Sequence, residues 1–201
     1  MRIFVGLDLD LEIRSRISRC IDGVEGFAPN ARWMRPESLH ITLKFIGEQK
    51  PEDVDAIAER LRRVDASTFQ VRFRGYGFFP TAKAARVFWI GIQAGPQLAT
   101  LAESIDAAVA ELGIAREDRR YSPHLTLARA GGRSASPRGR KGDAPNTVFS
   151  VLEKRLGAMA ELDFGTMMAN EFILYRSELS AGGSKYTKLQ SYSLKSLSVR
   201  S

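Results

Sequence analysis

Two short stretches, Ser-Leu-His-Ile-Thr-Leu at 38–43 and Ser-Pro-His-Leu-Thr-Leu at 122–127, hold both histidines of this 201-residue chain. Each reads as a strand of alternating character. Residues two apart on a strand share a face. His40 therefore sits with Thr42, and His124 with Thr126. Leu39, Ile41 and Leu43 in the first stretch, and Leu125 and Leu127 in the second, turn toward a core. Continued one step further, the same count puts Phe45 on the core face and Lys44 beside the histidine. The strongest constraint on the fold is that it must serve two half-polar strands at once.

The elements around these strands repeat in order. A strand over 2–9 precedes a helix with Leu9, Ile13, Ile17 and Ile21 at four-residue spacing, ending at Gly23. The first His-Thr strand (39–47) follows. Next comes a helix opened by Pro51, then strands over 69–79 and 86–92 joined by a turn at Pro80. Pro96 opens a helix carrying Leu98, Leu101, Ile105, Val109 and Leu112 and closed by Gly113. The second His-Thr strand (123–129) leads into a basic Gly/Ser/Pro/Arg loop over 130–145. A helix with Val148, Leu152, Leu156 and Met159 precedes strands over 170–179 and 185–194, which turn at Gly182–Gly183.

Each half reads helix, His-Thr strand, helix, strand, strand. The expected fold is α/β (α+β): one domain of two lobes, roughly 1–95 and 96–201, related by a pseudo-two-fold axis, with the termini free to cross between lobes. Two mainly antiparallel sheets would line a central cleft, with helices packed outside. The paired polar faces would then meet in that cleft.

Composition narrows the function classes. A net charge of +7 favours polyanionic partners such as nucleic acid. Cys20 is the one cysteine, which excludes an internal disulfide framework and a cysteine-based zinc site and fits a reducing, cytoplasmic setting. Asp8 and Asp10 arrive too early for a signal peptide, and no apolar run reaches the roughly 20 residues of a membrane span. The expectation is a monomer that does not engage a membrane.

Two histidines facing one cleft suit phosphodiester chemistry without a metal. One, neutral, takes a proton from the attacking oxygen, and the other, protonated, gives one to the leaving oxygen. Imidazole titrates near ~6.5, so both forms are accessible near neutrality. Threonine hydroxyls can donate to the phosphate oxygens. A single His-x-Thr strand is ordinary packing, but core packing gives no reason to repeat it. No His-Glu-x-x-His helix or cysteine pair points to a metal. Tyr121, Phe79 and Tyr186 offer aromatic faces for a base or ribose.

With "LHITLKFIGE" and "YSPHLTLAR" as its two motifs, the chain resembles the two-histidine (2H) phosphoesterases, and within them the RNA 2′,3′-cyclic phosphodiesterases once called 2′-5′ RNA ligases. The likeness extends through "GFFPTAKAARVFWIGI" and "LYRSELSAGGSKYTKL". It implies a bilobal fold and metal-independent, cofactor-free hydrolysis of RNA 2′,3′-cyclic phosphate ends, tRNA-derived ends among them, to 2′-phosphomonoesters. By that resemblance His40 is the general acid, His124 the general base, and Thr42 and Thr126 bind phosphate. Arg129 matches an arginine that often follows the second motif. Alternation alone puts it on the face opposite His124, so it contributes only if the strand ends or bulges. Lys44 lies on the correct face by parity. The alternatives are 2′-5′ ligation in the same cleft, another cyclic nucleotide or 2′-5′ oligonucleotide as substrate, and a non-catalytic RNA-binding protein.

Overall fold

The structure, a computed structural model, describes residues 1–131, 147–180 and 183–196. The basic loop expected over 130–145 lies, from residue 132 onward, outside the described residues, as does Gly182 of the closing turn.

In chain order the elements are β1 (Arg2–Asp8), α1 (Leu11–Val24), β2 (Ala31–Trp33), β3 (His40–Glu48), α2 (Pro51–Leu61), β4 (Phe69–Phe79), β5 (Val87–Ala94), α3 (Pro96–Ala110), β6 (His124–Ala130), α4 (Ser150–Gly157), β7 (Asp163–Ala169), β8 (Glu171–Ser180) and β9 (Gly183–Ser193). They build two antiparallel sheets, of order β3-β1-β8-β9 and β2-β6-β5-β4-β7. The mixed α/β class and the two sheets follow the sequence expectation.

The sheets do not divide the chain at 95/96. The first half supplies β1 and β3 to one sheet and β2, β4 and β5 to the other. The second half completes both, with β8 and β9 in one and β6 and β7 in the other. Each sheet is therefore interleaved, and each holds one His-Thr strand.

Local chemistry explains the helices. The Asp10 carboxylate caps α1 by accepting from the Ile13 amide at 2.8 Å, a bond worth about 1 kcal/mol. Ile13, Ile17, Ile21 and Val24 form its buried stripe, which lies on β7. In α3, Leu98, Leu101, Ile105 and Val109 are buried, and the helix lies on β3. One continuous apolar core results, with Phe73, Phe88, Phe149 and Phe172 among its largest fully buried side chains. A second, small cluster of Phe4, Ile173 and Tyr175, with Tyr186 packed against it, is separate from that core.

Periodicity does not predict β2 or β7. β2 has only three residues. β7 carries Gly165 at φ +97° beside a register shift against β4, which breaks the alternation that marks a strand. Both are held by their neighbours in the sheet more than by their own sequence.

Candidate active site

β3 and β6 lie against each other, one from each sheet, and carry the two histidines. His40 Nδ1 is 2.8 Å from the Ser38 carbonyl oxygen, and His124 Nδ1 is 2.9 Å from that of Ser122. A carbonyl only accepts, so Nδ1–H is the donor in both rings. The partner fixes the tautomer and leaves Nε2 free in each neutral imidazole. The two motif strands thus solve the same problem in the same way, with the carbonyl two residues upstream.

Aromatic rings brace both imidazoles. Tyr186 meets His40 edge-on at 4.9 Å between centroids, with Phe4 at 4.6 Å on another side. Phe79 meets His124 edge-on at 5.0 Å, with Trp89 at 6.3 Å. Phe79 and Tyr186 therefore lie at the site, as wall residues against the histidines. Burial is the main reason both histidines titrate low. His40 is held at about 4, where the Ser38 bond and Asp8 act upward while Arg129 and His124 act downward. His124 is lowered by burial and by Arg129, with the Ser122 bond opposing.

A β-bulge in each motif strand decides what else reaches the histidine face. β1 pairs Gly6 with Thr42 but Val5 with Lys44, so Leu43 is the extra residue. β5 pairs Trp89 with Thr126 but Phe88 with Ala128, so Leu127 is the extra residue. Each bulge reverses the alternation beyond it. Arg129 comes round to the face of His124 and Thr126, meeting the condition its role required. It is close enough to both histidines to lower their pKa values.

The same reversal corrects two expectations in β3. Phe45, expected in the core, is 54% exposed and shares a face with His40 and Phe4, at the position equivalent to Arg129. Lys44, expected in the cleft, is 3% exposed and turned toward α3. Its Nζ donates to Asp106 at 2.6 Å and to the Ala115 carbonyl at 2.8 Å. Burial alone would raise the Asp106 carboxyl. Bonds from Lys44, Arg116 and the Glu117 amide outweigh that and hold it below the ordinary range. Lys44 is a strut between β3 and α3, turned away from the histidine face.

Tyr121 also differs from expectation. Its ring packs on the main core, and its hydroxyl donates to the Thr42 carbonyl at 2.9 Å. It ties the approach to β6 onto β3, with its half-buried ring packed on the core. Among the described residues, no hydrogen bond engages the hydroxyl of Thr42 or Thr126, and both side chains are half-buried on the histidine face.

Sequence reasoning missed Asp8. It stands opposite His40 across β1–β3, whereas Gly91 stands opposite His124 across β5–β6. Arg14 and Lys188 hold its carboxylate, the latter at 2.5 Å. An acidic residue closing an otherwise apolar strand was the available signal. Among the described residues no group of three or more His, Cys, Asp or Glu side chains is placed to hold a metal ion. No described helix is long and apolar enough to cross a membrane.

Two sheets, each presenting a bulged His-x-Thr strand to the other, define a two-histidine phosphoesterase cleft. The family model of the LigT-like phosphoesterases matches residues 7–89 and again 90–186, and the chain belongs to that family. Among its relatives, the RNA 2′,3′-cyclic phosphodiesterase of Methanothermobacter thermautotrophicus is 31% identical over 198 residues, covering 96% of this chain and 99% of its own. That of Archaeoglobus fulgidus is 33% identical, covering 94% and 98%. Among solved structures, the TT0787 protein of Thermus thermophilus superposes with a TM-score of 0.73 at 31% identity, covering 98% and 100%. LigT of E. coli complexed with 3′-AMP gives 0.72 at 26%, covering 96% and 97%.

Proposed function

We propose that this protein hydrolyses RNA 2′,3′-cyclic phosphate ends to 2′-phosphomonoesters by proton transfer between His40 and His124, with no metal. The observation that carries the reading is the matched pair of imidazoles, each with Nδ1 bonded to a backbone carbonyl and Nε2 left for the substrate. Relatives named RNA 2′,3′-cyclic phosphodiesterase, matched along nearly their whole length, support the substrate class.

His124 Nε2 takes a proton from water as its oxygen attacks phosphorus. The bond from phosphorus to O3′ breaks, and His40 Nε2 delivers a proton to O3′, leaving a 3′-hydroxyl and a 2′-phosphate. Thr42, Thr126 and Arg129 donate to the phosphate oxygens as charge develops. The assignment of acid and base draws on Asp8, whose carboxylate opposite His40 favours an imidazolium there, while Gly91 gives His124 no such help. Burial keeps His40 neutral in the open site. The anionic phosphate supplies the missing counter-charge when it enters. Phe45 presents an exposed ring on the same face, a surface on which the terminal base can stack. The lone Cys20 suits a reducing cytoplasm, where the protein acts as a monomer on RNA ends, tRNA-derived ends included.

The test is an RNA ending in a 2′,3′-cyclic phosphate, incubated in excess chelator, with the position of the product phosphate identified. Turnover to a 2′-phosphate, lost by about 10²–10⁴-fold in His40→Ala and in His124→Ala while both stay folded, is the expected result. A 3′-phosphate product would reverse the leaving oxygen. Turnover that needs zinc would sink the metal-free mechanism, and RNA affinity without turnover would leave a binding protein.

A further inference from the structure

Arg32 on β2 and Arg129 on β6 are direct cross-strand partners. Partners of this kind leave one face of a sheet together. Here it is the face of His124 and Thr126, because Trp33 and Ala128, the neighbouring pair, turn into the core. Arg2 opens β1 on the face that carries Phe4, Asp8 and, opposite it, His40. Arg2 and Arg32 are exposed, and both lie near enough to Arg129 to push its pKa down alongside its burial, with Tyr186 opposing.

Three guanidiniums gathered in this way repel one another, and a folded chain normally intersperses carboxylates. Elsewhere in this molecule it does: Arg14, Arg16, Arg60, Arg72 and Arg74 each pair with an acid. Among the described residues, no carboxylate forms an ion pair with Arg2, Arg32 or Arg129. The acid opposite Arg2 is Glu48, which binds the N-terminal amine at 3.4 Å. Asp8, the carboxylate beside His40, is taken by Arg14 and Lys188. Among the described residues no ion pair offsets the charge of this cluster, which lies on the face of the proposed phosphate site.

One cyclic phosphate needs the threonines and Arg129. It does not need two further exposed arginines, and a cyclic mononucleotide has no second anion to offer them. An RNA strand does, at the phosphodiester just upstream of its 3′ end. Building on the proposed activity, we infer that Arg32 and Arg2 hold the RNA backbone on the 5′ side of the cyclic end, so that the site selects a polynucleotide strand over a free cyclic nucleotide.

The experiment compares kcat/KM on 2′,3′-cyclic AMP and on a five-nucleotide RNA with a cyclic 3′ end, for the wild type, Arg32→Ala, Arg2→Ala, the double variant and Arg32→Lys. Both arginines are exposed, so the variants keep the fold, which circular dichroism checks. Each alanine should cost about tenfold on the RNA and less than about twofold on cyclic AMP, with Arg32→Lys recovering part of the loss. The slope of log affinity for that RNA against log salt, measured by anisotropy with the 2′-phosphate product strand, should flatten by about 0.7 per arginine removed. Equal losses on both substrates, or an unchanged salt slope, would overturn the inference. If the wild type turns over neither substrate, the proposed activity fails by itself, and the salt slope of strand binding still decides whether these arginines hold a backbone.

Discussion

Replacing Lys44 separates a strut from a substrate contact, because the two roles predict opposite readouts. Lys44 is 3% exposed, and its Nζ makes contacts of 2.6 Å to Asp106, 2.8 Å to the Ala115 carbonyl and 3.4 Å to Glu117. Lys44→Met keeps the stem's volume but strands a carboxylate whose side chain is 12% exposed. Breaking one side of a buried pair costs about 3–5 kcal/mol. Arg116 still reaches Asp106 at 3.1 Å, which favours the lower end of that range. For a chain of this size the loss amounts to a fall in Tm on the order of 10 °C. Lys44→Met with Asp106→Leu removes both charges and should recover most of it, leaving about 1–2 kcal/mol for the unpaired Ala115 carbonyl and Glu117 amide. Urea and thermal unfolding measure these shifts. Meanwhile kcat/KM on a cyclic RNA end, assayed well below each Tm, should stay within about threefold of wild type. A Lys44→Met protein with unchanged Tm and turnover reduced a hundredfold or more, on the order of a lost catalytic contact, would refute the bulge argument.

Because burial lowers both histidines, the kcat/KM profile of the free enzyme should be a bell centred below pH 6.5, and kcat, measured with phosphate bound, should peak higher; coincident optima above neutrality would contradict this. Stability should fall as pH drops from 6.5 toward 4, since the unfolded chain takes up a proton that buried His40 refuses, and urea titrations of His40→Gln should show a shallower slope. Gly6→Ala would put a Cβ 2.8 Å from the Ile41 carbonyl oxygen and 3.5 Å from His40 Cδ2, prising β1 from β3 beneath the imidazole. A loss of about 1–3 kcal/mol with a fall in kcat is expected, and a protein as stable and active as wild type would count against that packing. Phe45→Ala, at a 54% exposed site, should change stability by less than about 0.5 kcal/mol and raise KM for RNA about tenfold, whereas an unfolded variant would mean the ring belongs to the core.

Much of this molecule was legible from hydrophobic period. The four helices, the two His-Thr strands and the facing sheets follow from stripes such as Ile13-Ile17-Ile21 and from the alternation around Ile41 and Leu125. The histidine pair was legible because repetition is improbable under packing alone. What escaped were features that depend on partners distant in sequence. The bulge at Leu43 is set by the register of β1, and no local rule announces it, so Lys44 and Phe45 were assigned to each other's faces. Tyr121 looks like any exposed aromatic until the Thr42 carbonyl is found within 2.9 Å. β2 exists only because β6 offers it an edge.

The paired bulges also bear on how such a site is recognised or rebuilt. A template of perfect alternation places the third functional side chain two residues after the threonine, where this chain has Lys44 and Ala128, both buried. The side chains that do arrive at the face stand one residue later, at Phe45 and Arg129. A search or a graft that assumes an ideal strand would copy the histidine and threonine faithfully and lose the third group in each motif strand. Transplanting this chemistry onto another scaffold means transplanting an irregular strand, together with the neighbour whose spacing makes it miscount by one.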